Sequence, residues 1–238
     1  MLPHRRIIGM GAAVISVWSP SDLSSVTTWW DFSDKSVLFQ DAAKETPVAN
    51  DGDRVGAIVD KIGNATDFTQ ITADYKPTFK TAIQNDLDCV SVTQDFLSGT
   101  SISLRTLYIV SLVSATSVAH SGVVSATNDS SNVRKYTTAN KWRGPNPDSD
   151  ATDANDFAHN GSAKVNGVAT DIHGNAWHIY KVVAAANKNI AQLCRNAYGL
   201  RAINGYVGEI IGCSNLVSEA DDDLIMNYLS NKWSITIA

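Results

Sequence analysis

Apolar residues follow patterns along the chain that predict strands far more often than helices. Residues 104–115 are apolar at both odd and even positions, as in a strand that is buried on both faces. Runs of β-branched and aromatic residues bounded by turn formers predict further strands at 27–32, 55–60, 88–92, 122–125, 177–184, 190–195 and 206–213. We expect 122–125 to be a neighbour of the central strand. The pair Asn166-Gly167 between two valines predicts a hairpin.

A helical pattern stands out only near the C-terminal end. Ser218 has the position of an N-cap, and acidic residues fill the turn that follows it, where the helix dipole favours negative charge. Apolar residues then recur at helical spacing, at Leu224, Ile225, Tyr228, Leu229 and Trp233. The predicted fold class is therefore all-β, an antiparallel β-sandwich with one C-terminal α-helix from 218 to 233.

Composition agrees with this pattern and removes several classes of protein. The chain has 238 residues, of which 18% are charged and 44% are hydrophobic. Ser, Thr, Asn and Gly replace the missing charge, which excludes a coiled coil, a helical bundle and a charged disordered chain. With 19 basic and 24 acidic residues the net charge is −5, so nucleic-acid binding is disfavoured.

Three cysteines are too few, and wrongly spaced, for a disulfide framework or a zinc site. They stand at Cys89, Cys194 and Cys213, without a Cys-x-x-Cys pair. We expect all three to be small buried residues.

Residues 1–17 form a segment distinct from the predicted domain at 18–238. Basic residues precede an uncharged run at 7–18, which outlines a signal peptide, but Gly9 and Gly11 interrupt the run and no cleavage site follows. The run is too short to span a membrane. We expect an assembly arm that docks on a partner subunit, through Leu2, His4, Arg5, Arg6, Ile7 and Ile8. The alternative is a first strand of its own sheet.

Short motifs in a fixed order resemble one family. They are Leu23, Trp29-Trp30-Asp31, Ser33-Asp34, Gly52-x-Arg54-Val55, Asp60-Lys61-x-Gly63-Asn64-Ala65, Tyr75-Lys76-Pro77-Thr78, Val165-Asn166-Gly167-Val168, Gly205 to Ile211, Leu216-x-Ser218-Glu219 and Tyr228-Leu229-x-x-Lys232-Trp233. Together they resemble the concanavalin A-like lectin/glucanase (laminin-G-like) modules, in the form common in bacteriophage structural proteins and bacterial surface proteins. The resemblance covers residues 18–235 and implies a jelly-roll sandwich.

Enzymes of this family have a Glu-x-Asp-x-Glu strand whose two glutamates act as nucleophile and acid/base. The only glutamates of this chain are Glu45, Glu209 and Glu219, so the sequence does not contain this motif. Retaining glycoside hydrolysis needs two carboxyl groups ~5 Å apart. We therefore predict no catalytic residues, and we expect Glu209 to be a structural partner of a buried polar group.

The segment 142–159 contains the strongest candidate binding residues. We expect it to be a loop, with Trp142, Arg143, Asp148, Asp150, Asp153, Asp156 and His159 as candidate glycan-binding or partner-binding residues. Trp beside Asp and Asn is a common arrangement in sugar-binding sites, while the hard oxygen ligands suit calcium, and laminin-G-like modules often bind it at their rim. A solvated acidic loop without a ligand is the third interpretation. We expect no other metal or cofactor.

The resemblance implies a virion protein that is not an enzyme. The expectation is a structural and adhesion protein of a phage surface, as capsid decoration or attached to a tail or fibre, and assembled in the host cytoplasm. The resemblance also implies that the protein is a homo-oligomer, that its partners are other virion proteins, and that its ligands are host surface glycans. The alternative is a carbohydrate-binding module of a bacterial surface protein, and a glycoside hydrolase comes last.

Overall fold

Strands account for most of the fold, and a single α-helix follows them. The computed structural model describes residues 18–64, 67–114, 116–117, 121–126, 133–135, 142–143, 154–159, 162–164, 168–169, 176–196 and 201–237. The strands join into one curled, mixed sheet. The predicted all-β class with a C-terminal helix is confirmed, and the jelly-roll topology stays a prediction.

The strands of the first half, in chain order, are β1 (Thr28–Asp31), β2 (Leu38–Phe39), β3 (Ala57–Ile58), β4 (Phe68–Thr69), β5 (Thr78–Gln84), β6 (Leu87–Val92), β7 (Leu97–Val113) and β8 (Gly122–Ser125). The second half adds β9 (Val133–Lys135), β10 (Trp142–Arg143), β11 (Ala154–His159), β12 (Ser162–Lys164), β13 (Val168–Ala169), β14 (Trp177–Leu193), β15 (Arg195–Asn196), β16 (Arg201–Ala202) and β17 (Gly205–Cys213). Short 3-10 helices cover Pro20–Asp22, Lys35–Val37 and Ala73–Tyr75, and α1 covers Glu219–Trp233.

Strand β7 is the centre of the sheet, as its two apolar faces predict. It pairs antiparallel with β14 on one edge and with β17 on the other. Strand β1 then pairs with β17, with Trp29 opposite Ile211 and Trp30 opposite Ile210. Because successive residues of a strand point to opposite faces, Trp29 and Trp30 lie on different sides of the sheet.

Two hydrophobic layers lie on the two sides of this sheet. The inner layer, enclosed by the curl, includes Trp30, Phe68, Leu107, Ile109 and Ile210. The helix-side layer includes Trp29, Tyr108, Val110 and Ile211, together with four buried residues of α1, namely Ile225, Met226, Leu229 and Trp233. Leu107, Ile109 and Val110 are all buried, which confirms the strand predicted at 104–115 to be buried on both faces, and Trp30 of the strand predicted at 27–32 is fully buried too.

The helix begins and ends at residues that suit its termini. The Ser218 hydroxyl accepts a hydrogen bond from the Asp221 amide, as an N-cap does. Acidic Glu219, Asp221 and Asp222 stand in the first turn, and Ser234 closes the helix in the left-handed conformation. The predicted helix is thus confirmed within one residue at its start.

Several details differ from the sequence prediction. Strand β8 does not lie beside β7, because β14 and β17 already occupy both of its edges; β8 pairs instead with β14, β9 and β16. The two strands predicted at 177–184 and 190–195 form one long β14 with a register shift after Val183. The Asn166-Gly167 turn lies outside the described residues.

The three cysteines are free and buried, as predicted. Burial in the hydrophobic layers raises the pKa of each thiol, to about 12 for Cys213. Among the described helices, none is both long and apolar enough to span a membrane.

Candidate functional site

Glu209 lies at the centre of the most highly connected polar cluster in the described structure. It belongs to β17 and is fully buried beneath α1. The preceding Gly208 allows this arrangement: the sheet register shifts there, and a Cβ at this position would stand 2.4 Å from the Trp233 ring. The chain thus brings α1 directly over the carboxyl group.

Four donors surround the Glu209 carboxylate. The Trp29 indole N–H donates to Oε1 at 2.6 Å, and the Tyr228 hydroxyl donates to the same oxygen at 3.0 Å. Oε2 accepts from the Trp233 indole N–H at 2.7 Å and from the Lys232 ammonium at 2.8 Å. A carboxylate offers about four acceptor positions, so this one is saturated by the protein itself.

A chain of charges continues from this carboxylate to the surface. Lys232 Nζ lies 2.8 Å from Asp31 Oδ2, and Lys61 Nζ lies 3.2 Å from the same oxygen. Lys61 also binds Asp34 at 2.7 Å and stands 4.0 Å from the Trp29 ring centroid. We call these residues, together with Glu209 and its other donors, the Glu209 network.

Burial and pairing with donors shift the pKa values of the acidic residues in the network in opposite directions. Burial and the nearby Asp31 raise the pKa of Glu209, while Lys232 and the Trp233 N–H lower it. Partial burial also raises the pKa of Asp34, but hydrogen bonds from Lys61 and Ser36 outweigh it and lower the pKa to about 2. Burial raises the pKa of Tyr228, and the charge of Glu209 adds to this, so its hydroxyl stays a donor.

The network holds α1 and β1 onto β17, and this role explains its composition. Three of the four groups around Glu209 come from α1, and the fourth comes from β1. Both carboxylate oxygens are buried, and each is bound by two donors of the protein itself. Glu209 is thus a partner of buried polar groups, as expected from the sequence.

An apolar groove lies on the outer side of α1, next to the network. It has a volume of about 510 Å³ and is lined by Trp18, Leu224, Asn227, Tyr228, Asn231 and Lys232. The Trp18 ring packs edge-on against Tyr228, with the centroids 5.7 Å apart. Leu224 is 42% exposed in the groove. Trp18 directly follows the predicted arm, so the groove lies where that arm joins the domain.

The candidate residues at 142–159 are only partly described. Trp142 and Arg143 form β10, while Asp148, Asp150 and Asp153 lie outside the described residues. The expectation of a loop is therefore wrong for Trp142 and Arg143, which pair with β9 and β13. It is also wrong for Asp156 and His159, because Ala154–His159 is a strand paired with β12 and with the long β14. The structure describes no side-chain contacts of the segment 142–159. The arm at 1–17 also lies outside the described residues, and with it the predicted contact residues Leu2, His4, Arg5, Arg6, Ile7 and Ile8.

Sequence reasoning found Glu209 but missed its partners. A lone glutamate in an apolar strand signals a buried acid. The sequence also indicated possible donors at Trp29, Tyr228 and Trp233, because a buried Trp or Tyr side chain usually needs a hydrogen-bond partner for its N–H or O–H group. Nothing in the spacing brings residues 29 and 233 together, because only the sheet pairing does that.

Within the described part of the chain, no group of three or more His, Cys, Asp or Glu residues is placed to hold a metal ion. In comparisons with family models, curated proteins and solved structures, no match to this chain was found.

Proposed function

We propose that this chain is a non-enzymatic structural and adhesion protein on the surface of a bacteriophage particle. It decorates the capsid or attaches to the tail, assembles through residues 1–17 and binds surface glycans. The phage assignment rests on the resemblance of the ordered motifs to concanavalin A-like modules. The non-enzymatic part rests on the environment of Glu209.

The saturated carboxylate of Glu209 is the observation that carries this proposal. A retaining glycosidase needs one carboxylate free to attack and a second acid to protonate the leaving group. Here Glu209 accepts hydrogen bonds from two indoles, a phenol and an ammonium. Such contacts suit a residue that stabilises a scaffold, and they oppose the glycosidase alternative.

The groove beside Trp18 supports assembly through the arm. Exposed apolar surface on a folded protein often marks a site of interaction. The arm contributes Ile7, Ile8 and further apolar residues directly before Trp18, so it has the chemistry to cover such a surface. Burial of each large apolar side chain stabilises a contact by ~1.5–3 kcal/mol, which offsets much of the ~1–2 kcal/mol of backbone entropy lost for each ordered residue of the arm.

Immunogold electron microscopy of purified particles tests the location of the protein. We expect an antibody against this chain to label the capsid or the tail at regular positions. Label on bacterial cells, with none on particles, would favour a carbohydrate-binding module of a surface protein. Release of reducing sugars from glycans by the purified chain would overturn the non-enzymatic assignment.

Deletion of residues 1–16 tests the arm. We expect a folded, soluble protein that no longer forms oligomers or enters particles, measured by analytical ultracentrifugation and particle co-purification. Arg5→Ala with Arg6→Ala is the milder variant: it should weaken assembly at low salt and have less effect at high salt, since screening removes the same attraction. Normal assembly of the truncated chain would contradict the role of the arm, and loss of folding would place the arm in the core.

A further inference from the structure

Arg195 differs in its surroundings from Arg54 and Arg105. Arg195 in β15 places its guanidinium carbon 3.7 Å from the centroid of the Phe96 ring. The Tyr75 ring also packs against Phe96, with the two ring centroids 5.7 Å apart. The Phe96 amide donates a hydrogen bond to the Tyr75 carbonyl at 2.9 Å, which fixes the two rings relative to each other. We call these three residues the Arg195 cluster.

Arg195 has an aromatic partner but no acidic one. Among the described residues it forms no hydrogen bond or ion pair, and its Nε is buried without an acceptor. Arg54, by contrast, donates to Thr78 Oγ1 at 2.8 Å and to the Ala73 carbonyl at 3.0 Å. Arg105 donates to the Ala184 carbonyl. In a chain with 24 acidic residues, a half-buried guanidinium without a carboxylate is notable, because burying an unpaired charge costs free energy.

Asp95, the acidic residue next to Phe96 in the chain, has other partners. The nearby carboxylate of Asp95 accepts from the Thr93 amide at 3.0 Å and lies 3.9 Å from Arg54. Burial lowers the pKa of Arg195, although the group stays charged at neutral pH. Cys194, directly before it, has a φ of 68°, a left-handed conformation that non-glycine residues adopt at a cost. The backbone therefore adopts an unfavourable conformation at Cys194, the residue directly before Arg195.

Two exposed apolar side chains stand in the segment that carries Tyr75. Tyr75 is 41% exposed, and Ile71, four residues earlier in the chain, is 84% exposed. A ligand that satisfies this surface needs an anionic group for Arg195 and an apolar face for Tyr75. A sugar ring with a carboxylate has both, because its C–H face packs on aromatic rings while the carboxylate accepts a bidentate pair of N–H bonds.

We propose that Arg195, Phe96 and Tyr75 form a binding site for an acidic sugar, of the hexuronic acid class. The guanidinium binds the sugar carboxylate through parallel N–H bonds, Phe96 holds the guanidinium plane, and Tyr75 packs against the ring. The inference rests on the proposed role in glycan adhesion and names the substrate class of that role. It uses none of the candidate residues at 142–159.

Titration of the full chain with oligogalacturonate tests this site. The matched probe is the same oligomer after reduction of its carboxyl groups to alcohols, and acetate is the probe for a carboxylate without a ring. We expect oligogalacturonate to bind at least about tenfold more tightly than either probe, as a charge-assisted hydrogen-bond pair predicts. In 1H–15N NMR spectra, the Nε–H signal of Arg195 should shift with oligogalacturonate.

Variants separate the site from general electrostatic attraction. Arg195→Gln should lose at least about tenfold in affinity, Arg195→Lys should keep part of it, and Phe96→Leu should fall between wild type and Arg195→Gln. Arg105→Gln removes an equal charge outside the cluster and should leave affinity unchanged.

Three results would overturn the inference. These are equal binding of acetate and oligogalacturonate, equal loss in Arg105→Gln and Arg195→Gln, and absence of oligogalacturonate binding. Tight binding of the reduced, neutral oligomer would overturn the acidic site while it supports glycan adhesion, so failure of the site and failure of the proposed function are distinguishable.

Discussion

Trp29 and Trp30 are neighbours in β1, yet they stabilise the protein in different ways. The Trp29 indole N–H donates to Glu209 at 2.6 Å on the helix side of the sheet. The Trp30 indole is fully buried in the inner layer, and its N–H has no partner in the structure. Its ring packs edge-on against Phe68, with the centroids 4.9 Å apart.

The difference shows what each layer depends on. The inner layer is filled by apolar side chains from many strands, so its stability depends on volume and tolerates one unpaired N–H. The helix-side layer attaches one helix through a buried carboxylate with defined donors. Hydrogen bonds have direction and hydrophobic contacts do not, so the network sets the position of α1 on the sheet.

Removal of the central carboxylate should give the largest effect. Glu209→Ala leaves two indole N–H groups and the Tyr228 hydroxyl without their acceptor, and it removes one of the two acidic partners of Lys232. Breaking a buried charge pair from one side costs about 3–5 kcal/mol. We expect a loss of this size in the free energy of unfolding, measured by urea denaturation.

Glu209→Gln is the control for that variant. It keeps the size of the side chain and one acceptor, so it should cost less than Glu209→Ala, and any glycan binding should survive in the folded protein. A loss below about 1 kcal/mol in Glu209→Ala would mean that the network adds no more than a typical exposed ion pair.

The inner layer should respond to lost volume alone. Ile109 is fully buried in β7, and Ile109→Ala should cost roughly 2–5 kcal/mol in the free energy of unfolding. Ile71→Ala is the matched control, because Ile71 is 84% exposed and should change stability little. Wild-type stability of Ile109→Ala would contradict the position of β7 at the centre of the sheet.

The sequence was sufficient for the elements whose pattern is local. Apolar residues on both faces located β7, and the Ser218 cap with its acidic first turn located α1. The sequence was insufficient where strand pairing determines the position of a segment. Strand β8 cannot pair with β7, because both edges of β7 are occupied, and it pairs with β14 instead. The polar segment Ala154–His159 forms a strand because it pairs with β14. In that segment, hydrogen bonding to the edge of the long strand β14 outweighs the preference of its own residues for turns.

Sites depend on long-range pairing even more strongly. Glu209 could be singled out in the sequence as a buried acid, but its donors come from residues 29 and 228–233. Arg195 gave no sequence signal, because its distinguishing property is the lack of an acidic partner. Such a property is visible only once the neighbours of every charged group are known.

A pair of tryptophan variants sharpens the comparison of the two layers. Trp29→Phe and Trp30→Phe remove the same atoms from adjacent buried positions, but only the first removes a hydrogen bond to a carboxylate. We expect Trp29→Phe to cost ~1.5–3 kcal/mol more in unfolding free energy, the range for a bond to a charged group.

A double-mutant cycle checks the source of that difference. Trp29→Phe combined with Glu209→Gln should cost less than the sum of the two single changes, because each removes part of the same bond. Additive costs, or equal losses in the two tryptophan variants, would show that the Trp29 bond contributes nothing beyond packing.

The smallest expected effect is at the exposed end of the Glu209 network. Hydrogen bonds from Lys61 and Ser36 outweigh the effect of partial burial and lower the pKa of Asp34 from 3.8 to about 2. An acid whose pKa is lower in the folded state stabilises the protein above its unfolded pKa, and this contribution is lost as pH falls. Stability should therefore fall between pH 3.8 and about 2, and Asp34→Asn should reduce the slope there. Because Asp34 is partly exposed, we expect only ~0.2–1 kcal/mol at neutral pH, measured by urea denaturation across this pH range. An unchanged slope in Asp34→Asn would assign the acid sensitivity to the buried part of the network instead, where Lys232 joins Asp31 to Glu209.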